Sequence, residues 1–265
     1  MVMSLFDTHA HYDYPLFGDG PEVVRKLHQN GVLNGVVIPA IAYESNFSRE
    51  RFPAAEFPYV YFAAGLHPKY ATNEAWWDVE KRAEFEQLLE DPRTVAVKTG
   101  MDLAKVKLTE EQQAHQASFF KYLIGRANKK NLPLVLHVRE AAAEALEILR
   151  EHPLQVEAVV HCFSYDLEVA RKMMDAGVTR FGIGGKLTLK DMAYLREAVK
   201  ELPLSAILIE TDAPFVKPEG YEEELNTSET MMGTVRLIAE LKGIRAEEVV
   251  AAVENNAREF YRIPR

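Results

Sequence analysis

Five histidines and one aspartate of this 265-residue chain each stand at the end of a short apolar run. They are His9 and His11 in "THAH", His67 in "GLHP", His137 in "LHVR", His161 in "VVHCF" and Asp212 in "IETDAP". For any single one of these histidines, the alternative to metal binding is a structural role as a hydrogen-bonded residue of the core. Together, neutral imidazole nitrogens and a carboxylate form the ligand set that zinc, manganese or a similar divalent ion requires. The set predicts a metal site, provided that the fold brings the ends of the runs together.

The pair His9 and His11 carries much of this signal. Residues i and i+2 of an extended chain point to the same face, so both imidazoles would reach one ion. Cys162 directly follows His161 and is a further candidate ligand. In a continuing strand its thiol would point away from that imidazole, and we expect it to pack in the core. The other three histidines have charged and polar neighbours in helical stretches, and we expect them at the surface. They are His28, His115 and His152.

Eight short apolar runs are spread along the whole chain. They span residues 4–10, 35–41, 59–65, 94–100, 132–138, 156–162, 179–185 and 206–212. Several contain mostly Val, Ile, Leu and Ala, which is typical of strands covered on both faces. Longer amphipathic stretches between them predict helices. These cover residues 21–30, 110–130, 140–151, 166–176, 230–242 and 246–260.

This alternation predicts a (β/α)8 TIM barrel formed by residues 1–265 as a single domain. The alternative is an open doubly wound sheet. The Gly-rich phosphate loop expected after its first strand is missing, because "THAHYD" contains no glycine. In a barrel the C-terminal ends of all strands converge on one face. The six candidate ligands would then form one cluster.

Composition narrows the class of protein. With 48% hydrophobic residues the chain can build one large core, and no apolar run approaches the length of a membrane span. The start "MVMSLFDTHAHYD" does not read as a signal peptide, and the single cysteine excludes an internal disulfide. We expect a cytoplasmic protein with no obligate protein partner. The net charge of −9, without a basic block, predicts that any contact with nucleic acid is local.

The ordered motifs "FDTHAHYD", "GLHP", "LHVR", "VVHCFSY" and "ETDAP" resemble those of the TatD-type metal-dependent hydrolases, a family of amidohydrolase-like barrels. The stretches "FGIGG" (181–185) and "NNAREFY" (255–261) extend the resemblance over nearly the whole chain. The resemblance implies a distorted TIM barrel with one or two divalent ions, such as Zn, Mn or Mg. It also implies phosphoester hydrolysis, in particular as a deoxyribonuclease acting at a DNA end.

The family pattern also implies roles for single residues. They are a first metal site of His9, His11 and Asp212, a second of His137 and His161, and substrate contacts from His67 and Arg139. Elementary chemistry agrees with two of these roles. The carboxylate of Asp212 can accept the proton of an attacking water. The planar guanidinium of Arg139 suits phosphate oxygens, unless it is held in a salt bridge to Glu140.

The stretch "AVKTGMD" departs from the family pattern at Lys98. The family motif on this strand reads G-E-x-G-L-D, and its glutamate bridges the two metals. Three interpretations of Lys98 remain open. The amine is carboxylated by carbon dioxide and acts as a metal ligand; it stays an ammonium ion that replaces the second metal; or it points elsewhere, and Asp102 or water closes the site. The pattern does not choose among them.

This departure leaves two further hypotheses for function. One is a hydrolase of a small ester, lactone, amide or organophosphate on the same site. The other is a degenerate metal-binding barrel without turnover. A second departure follows "ETDAP". The family often has an R-N-x-P-like element there that helps bind substrate in relatives, whereas "LNTSE" (225–229) keeps Asn226 but lacks the arginine and the proline. Trp76 and Trp77 could stack on a base above the barrel, although ordinary packing at a helix start is favoured.

Overall fold

A computed structural model describes residues 4–73, 78–104 and 107–264 of the chain. Eight parallel strands follow one another around a sheet in sequence order. They are β1 Leu5–Asp7, β2 Leu33–Pro39, β3 Val60–Gly65, β4 Thr94–Asp102, β5 Leu134–Arg139, β6 Ala158–His161, β7 Arg180–Ile183 and β8 Ile207–Ile209. Helices connect the strands, so the predicted (β/α)8 barrel is confirmed.

The described residues form eight α-helices around these strands. They are α1 Gly20–Gln29, α2 Val79–Leu88, α3 Glu110–Lys130, α4 Ala142–Glu151, α5 Leu167–Asp175, α6 Ala193–Glu201, α7 Met231–Lys242 and α8 Ala246–Tyr261. Side-chain caps fix several starts; Thr109 and Gln112, for example, form a reciprocal capping box on α3. The sequence did not predict α2 and α6, which are short and bury few apolar residues. Within the described ranges, no helix has both the length and the apolar character needed to cross a bilayer.

The strands are buried along most of their length, which explains their nearly unbroken apolar sequence. Several of them end earlier than the sequence predicted. Strand β1 stops at Asp7 and β8 at Ile209, so the chemistry-bearing residues that follow lie on irregular backbone. Gly100 on β4 has φ of +143°, and a Cβ there would lie 1.9 Å from the carbonyl oxygen of His137. Only glycine lets β4 and β5 approach so closely at this point.

The seam between β1 and β8 is closed by residues that follow the two strands. The amide of Thr8 donates to the Ile209 carbonyl at 3.0 Å, and the amide of Asp212 donates to the His9 carbonyl at 2.8 Å. Helix α8 braces the same region, because the hydroxyl of Tyr261 donates to the Thr8 carbonyl at 3.0 Å. These bonds hold the first and last strands in fixed register, and with them His9 and Asp212.

Candidate active site

The predicted ligands surround one cavity of about 700 Å³ at the C-terminal ends of the strands. The residues of interest that line it are His11, His67, Lys98, His137, Arg139, His161 and Asp212. The remaining member, His9, is buried, and its ring stacks on that of His161 with centroids 3.8 Å apart. The barrel therefore brings together all the residues that the sequence singled out for this face.

One group of metal-competent atoms comes from the two ends of the chain. The Nε2 atoms of His9 and His11 lie 3.7 and 3.4 Å from Oδ1 of Asp212. Nδ1 of His11 donates to the Pro39 carbonyl at 3.0 Å, which leaves the Nε2 lone pair free to bind a cation. The sequence predicted that His9 and His11 share the face of a strand. They converge instead from the turn after β1, with ring centroids 5.1 Å apart.

A second group lies on β4, β5 and β6. Nδ1 of His137 is 2.9 Å from Nε2 of His161, and these two residues are neighbours in the strand register. Nε2 of His137 donates to Oδ2 of Asp102 at 3.0 Å, so its Nδ1 keeps a lone pair on the side of His161. Burial raises the pKa of Asp102, but the bond from His137 and the charge of Arg139 outweigh it and lower that pKa. Asp102 thus orients a histidine of this group.

His67 approaches the same carboxylate from β3. Its Nδ1 accepts from the amide of Lys69 at 3.2 Å, so the ring proton is on Nε2, which lies 4.0 Å from Oδ2 of Asp102. This Nε2–H is therefore available as a donor toward the cavity. Arg139 ends β5 with an exposed side chain, and no ion pair to Glu140 or to any other described residue holds its guanidinium. Lys69 also lines the cavity, a cation that the sequence analysis did not single out.

Lys98 points into the centre of this arrangement and is completely buried. Its Nζ lies 3.3 Å from Nε2 of His9. The interpretation that Lys98 points elsewhere is therefore wrong, because β4 directs this side chain inward between the two groups of ligands. Burial lowers the pKa of Lys98 to about 8, although nearby Asp212 and Glu210 act in the opposite direction. A lowered pKa increases the fraction of uncharged amine near neutral pH.

Glu210 is a site residue that the sequence analysis missed. Its carboxylate is buried, and Oε1 lies 3.8 Å from Nδ1 of His161. Burial, and next the charge of Asp212, raise the pKa of Glu210 well above its usual value. With His9 and His161 it forms another set of atoms that can hold a metal ion. The motif "ETDAP" could have revealed this residue, because it begins with Glu210, a carboxylate two residues before Asp212.

The backbone turns sharply after β6. Strand β6 ends at His161, and Cys162 adopts φ of +49°, so its thiol is not directed by continuing strand geometry as the sequence analysis assumed. Its amide donates to Oε1 of Glu210 at 2.6 Å. Burial raises the pKa of the Cys162 thiol to about 12, and this cysteine is absent from the metal-competent groups of the described residues. Among the described residues, the candidate metal ligands of this site are therefore histidines and carboxylates.

Asn226 stabilises the loop that follows β8. It is fully buried, and its amide nitrogen donates to the carbonyls of Thr211 at 3.0 Å and Phe215 at 2.8 Å. Thr230 donates to its side-chain oxygen at 2.9 Å. The side chain of Asn226 therefore ties together the loop after β8. Trp76 and Trp77 lie outside the described residues.

Replacing Asn226 by alanine is expected to destabilise the protein by about 1–3 kcal/mol, because buried carbonyls lose their donor. The melting temperature should fall by roughly 2–4 °C for each kcal/mol. Asn30→Ala, at an exposed asparagine after α1, is the matched control and should leave the melting temperature unchanged. Equal melting temperatures for both variants would contradict the role of Asn226.

The metal-free protein is expected to lose stability below about pH 6.5. Burial lowers the pKa of four histidines, which stay neutral in the fold but bind protons when the chain unfolds. They are His9, His67, His137 and His161. Asp7, with a pKa raised to about 6, and Glu210 oppose this loss because they take up protons in the fold.

Burial also raises the pKa of Asp13 and Glu254. The unfolded chain nevertheless binds protons at its histidines already as the pH falls through about 6.5, where Glu210 is the carboxyl group with a pKa raised well above its usual value, so the unfolded state binds more protons overall in this range. Each proton that the unfolded state binds in excess of the folded state lowers the free energy of unfolding by about 1.4 kcal/mol for each pH unit of acidification. Denaturant unfolding in the presence of a chelator at pH 7.5, 6.5 and 5.5 measures the slope. Stability that is constant or rises toward pH 5.5 would show that the histidines are not buried in neutral form.

Comparison with known proteins agrees with this geometry. The family model described as TatD related DNase matches residues 6–262. The chain belongs to the TatD family. It is 34% identical over 262 residues to an uncharacterized metal-dependent hydrolase, TatD, of Mycobacterium tuberculosis, with 97% of each chain covered. The crystal structure of YjjV, a TatD homologue from Escherichia coli K12, superposes with a TM-score of 0.87 at 28% identity and covers both chains fully.

A further TatD relative has a more specific description. The 3′-5′ ssDNA/RNA exonuclease TatD of Pantoea vagans is 28% identical over 255 residues, with 92% of this chain and 94% of that one covered. Membership in the TatD family makes the chain a metal-dependent hydrolase, so the hypothesis of a barrel without turnover is discarded. The donor set suits a divalent ion, since His11 presents an oriented Nε2 beside the carboxylate of Asp212.

Proposed function

We propose that this TatD-family hydrolase cleaves phosphodiester bonds at the end of a DNA strand. The proposal rests on a cavity in which metal-competent atoms of His11 and Asp212 are accompanied by the side chains of Arg139 and Lys69. The guanidinium of Arg139 forms no ion pair with any described residue. A divalent ion bound there supplies activated water near neutral pH. The description of the Pantoea vagans relative as a 3′-5′ exonuclease supports the same substrate class.

The side chains have distinct tasks in this reaction. Arg139 offers parallel donors to two oxygens of the scissile phosphate. His67 donates through Nε2, because the backbone amide of Lys69 donates to its Nδ1 and leaves the ring proton on Nε2. Asp212 accepts the proton of the attacking water while its carboxylate faces His9 and His11. Local cations at the cavity let a chain of net charge −9 bind one phosphate group without a basic surface.

The number of metal ions depends on Lys98. The group of His9, His11 and Asp212 is the first candidate site, and His137 with His161 is the second. As an ammonium ion, Lys98 repels a second cation, and the site then holds one. As a carbamate, it supplies a carboxylate between the two groups, and the site then holds two. Burial and the lowered pKa of Lys98 favour the uncharged amine that carboxylation requires.

The function is tested by incubating the protein with a 3′-labelled single-stranded oligonucleotide and Mg²⁺, Mn²⁺ or Zn²⁺. We expect cleavage that a chelator abolishes and that His9→Ala lowers at least about a hundredfold. His115→Ala is the matched control, because His115 pairs with Glu111 on the surface of α3 and does not line the cavity. Cleavage that His9→Ala leaves intact would refute the proposal.

A second candidate is hydrolysis of a small ester, lactone, amide or organophosphate. Lys98 favours it, because a lysine takes the place of the glutamate of the family pattern. The same purified protein is therefore assayed on a panel of such substrates. Activity on these compounds without cleavage of single-stranded DNA would replace the first proposal by the second.

A further inference from the structure

Beside the catalytic cavity lies a second depression of about 770 Å³, within the roughly 300–1,000 Å³ typical of ligand sites. We call it the side groove and define it by its apolar wall of Tyr14, Leu16, Ile41, Phe47 and Tyr70. Leu16 is 59% exposed and offers an apolar contact to a ligand in the groove. The groove thus presents apolar and aromatic surface next to the reacting centre.

The side groove adjoins the catalytic cavity. Tyr14 and Ile41 line both depressions. A series of rings leads from the metal-competent atoms outward, since His11 meets Phe215 edge to face at 6.0 Å and Phe215 meets Tyr14 at 5.1 Å between centroids. A ligand with its reacting group beside His11 can therefore extend past Tyr14 into the groove.

The two depressions differ in the charge of their lining residues. Lys69 and Arg139 line the catalytic cavity, whereas Asp13, Glu44 and Glu50 line the side groove. Arg51 is the one cation among the described residues that line the groove, and its guanidinium donates to the carbonyls of Asp13 and Gly18. The groove therefore disfavours a phosphate and suits an uncharged flat group.

Lys69 marks the boundary between these regions. Its Nζ lies 4.7 Å from the centroid of the Tyr70 ring, which belongs to the side groove, while the same lysine lines the catalytic cavity. A phosphate held by Lys69 would place the adjoining nucleoside against Tyr14 and Tyr70. Aromatic faces bind bases of any sequence by stacking.

We propose that the side groove binds the nucleobase that adjoins the scissile phosphate, with Tyr14 and Leu16 as its contact residues. The inference rests on the proposed cleavage of DNA ends and adds to it a subsite that selects nucleic acid over other phosphodiesters. Base contact in the groove would strengthen binding of an oligonucleotide without requiring any sequence preference.

The test compares short oligonucleotides that carry either a normal base or an abasic residue on each side of the scissile phosphate. For the unaltered protein we expect the abasic residue at one of these two positions to lower kcat/KM about tenfold or more. In Tyr14→Ala and Leu16→Ala this preference for the base should shrink toward equality. Tyr14→Phe, which keeps the ring, should retain it.

Met174→Ala is the matched control for an exposed apolar residue, since Met174 on α5 is 38% exposed and lines neither depression. Equal cleavage of normal and abasic substrates by the unaltered protein would overturn the inference while leaving the nuclease activity in place. A base preference that Tyr14→Ala and Leu16→Ala do not change would overturn it as well. Absence of cleavage of every oligonucleotide would remove the proposed function and this subsite together.

Discussion

Lys98→Glu is expected to bind two divalent ions per chain, whereas the unaltered protein prepared without bicarbonate binds one. The substitution removes an ammonium group that lies 3.3 Å from Nε2 of His9 and places a carboxylate between the two groups of ligands. A carboxylate attracts the cation that an ammonium group repels. Elemental analysis of dialysed protein measures the change directly and does not depend on knowing the substrate.

Two further preparations separate the interpretations of Lys98. If the unaltered protein rises from one ion to two when bicarbonate is added, Lys98 is carboxylated. If it keeps one ion under both conditions, the ammonium ion replaces the second metal. Lys98→Met lacks both charges and should not respond to bicarbonate. A count of one in Lys98→Glu would show that Lys98 does not control the number of ions.

Asp212→Asn is expected to lower the metal-dependent hydrolase activity at least about a hundredfold without unfolding the protein. The change removes the negative charge that faces His9 and His11, and with it the proton acceptor that we propose for the attacking water. Asparagine is the appropriate replacement because Asp212 adopts φ of +55°, a conformation that asparagine tolerates better than alanine.

The melting temperature of the metal-free variant distinguishes chemistry from folding. We expect it to remain within a few degrees of the unaltered protein, because the amide keeps the shape of the side chain. Asp212→Ala should melt lower than Asp212→Asn, since alanine adds backbone strain at this position. Full activity in Asp212→Asn would exclude Asp212 as metal ligand and proton acceptor alike.

The barrel and the convergence of the candidate ligands could be predicted from the sequence, because both follow from strand periodicity. The apolar runs are typical of strands that are covered on both faces, and they alternate with helices. In a barrel of such strands all the C-terminal ends lie on one face. The grouping of His137 with His161 follows from the same rule, since both stand at neighbouring strand ends. The assignment of each residue to a metal remains a prediction.

The backbone geometry beyond the strand ends could not be predicted in this way. Strand β8 ends at Ile209, and the left-handed conformation of Asp212 breaks the alternation that would describe a continuing strand. The partner of Glu210 is the amide of Cys162, 48 residues away, so its burial depends on a second turn of the same kind. The role of Asn226 could not be predicted either, because the carbonyls to which it donates come together only in the folded loop.

The wide separation in sequence of residues that meet at the seam between β1 and β8 has a consequence for biosynthesis. One candidate metal group draws His9 and His11 from the start of the chain and Asp212 from more than two hundred residues later. A ribosome must therefore deliver almost the whole polypeptide before these three side chains can meet. The nascent protein spends its synthesis without this centre, and the last helix secures the first strand only when Tyr261 has emerged.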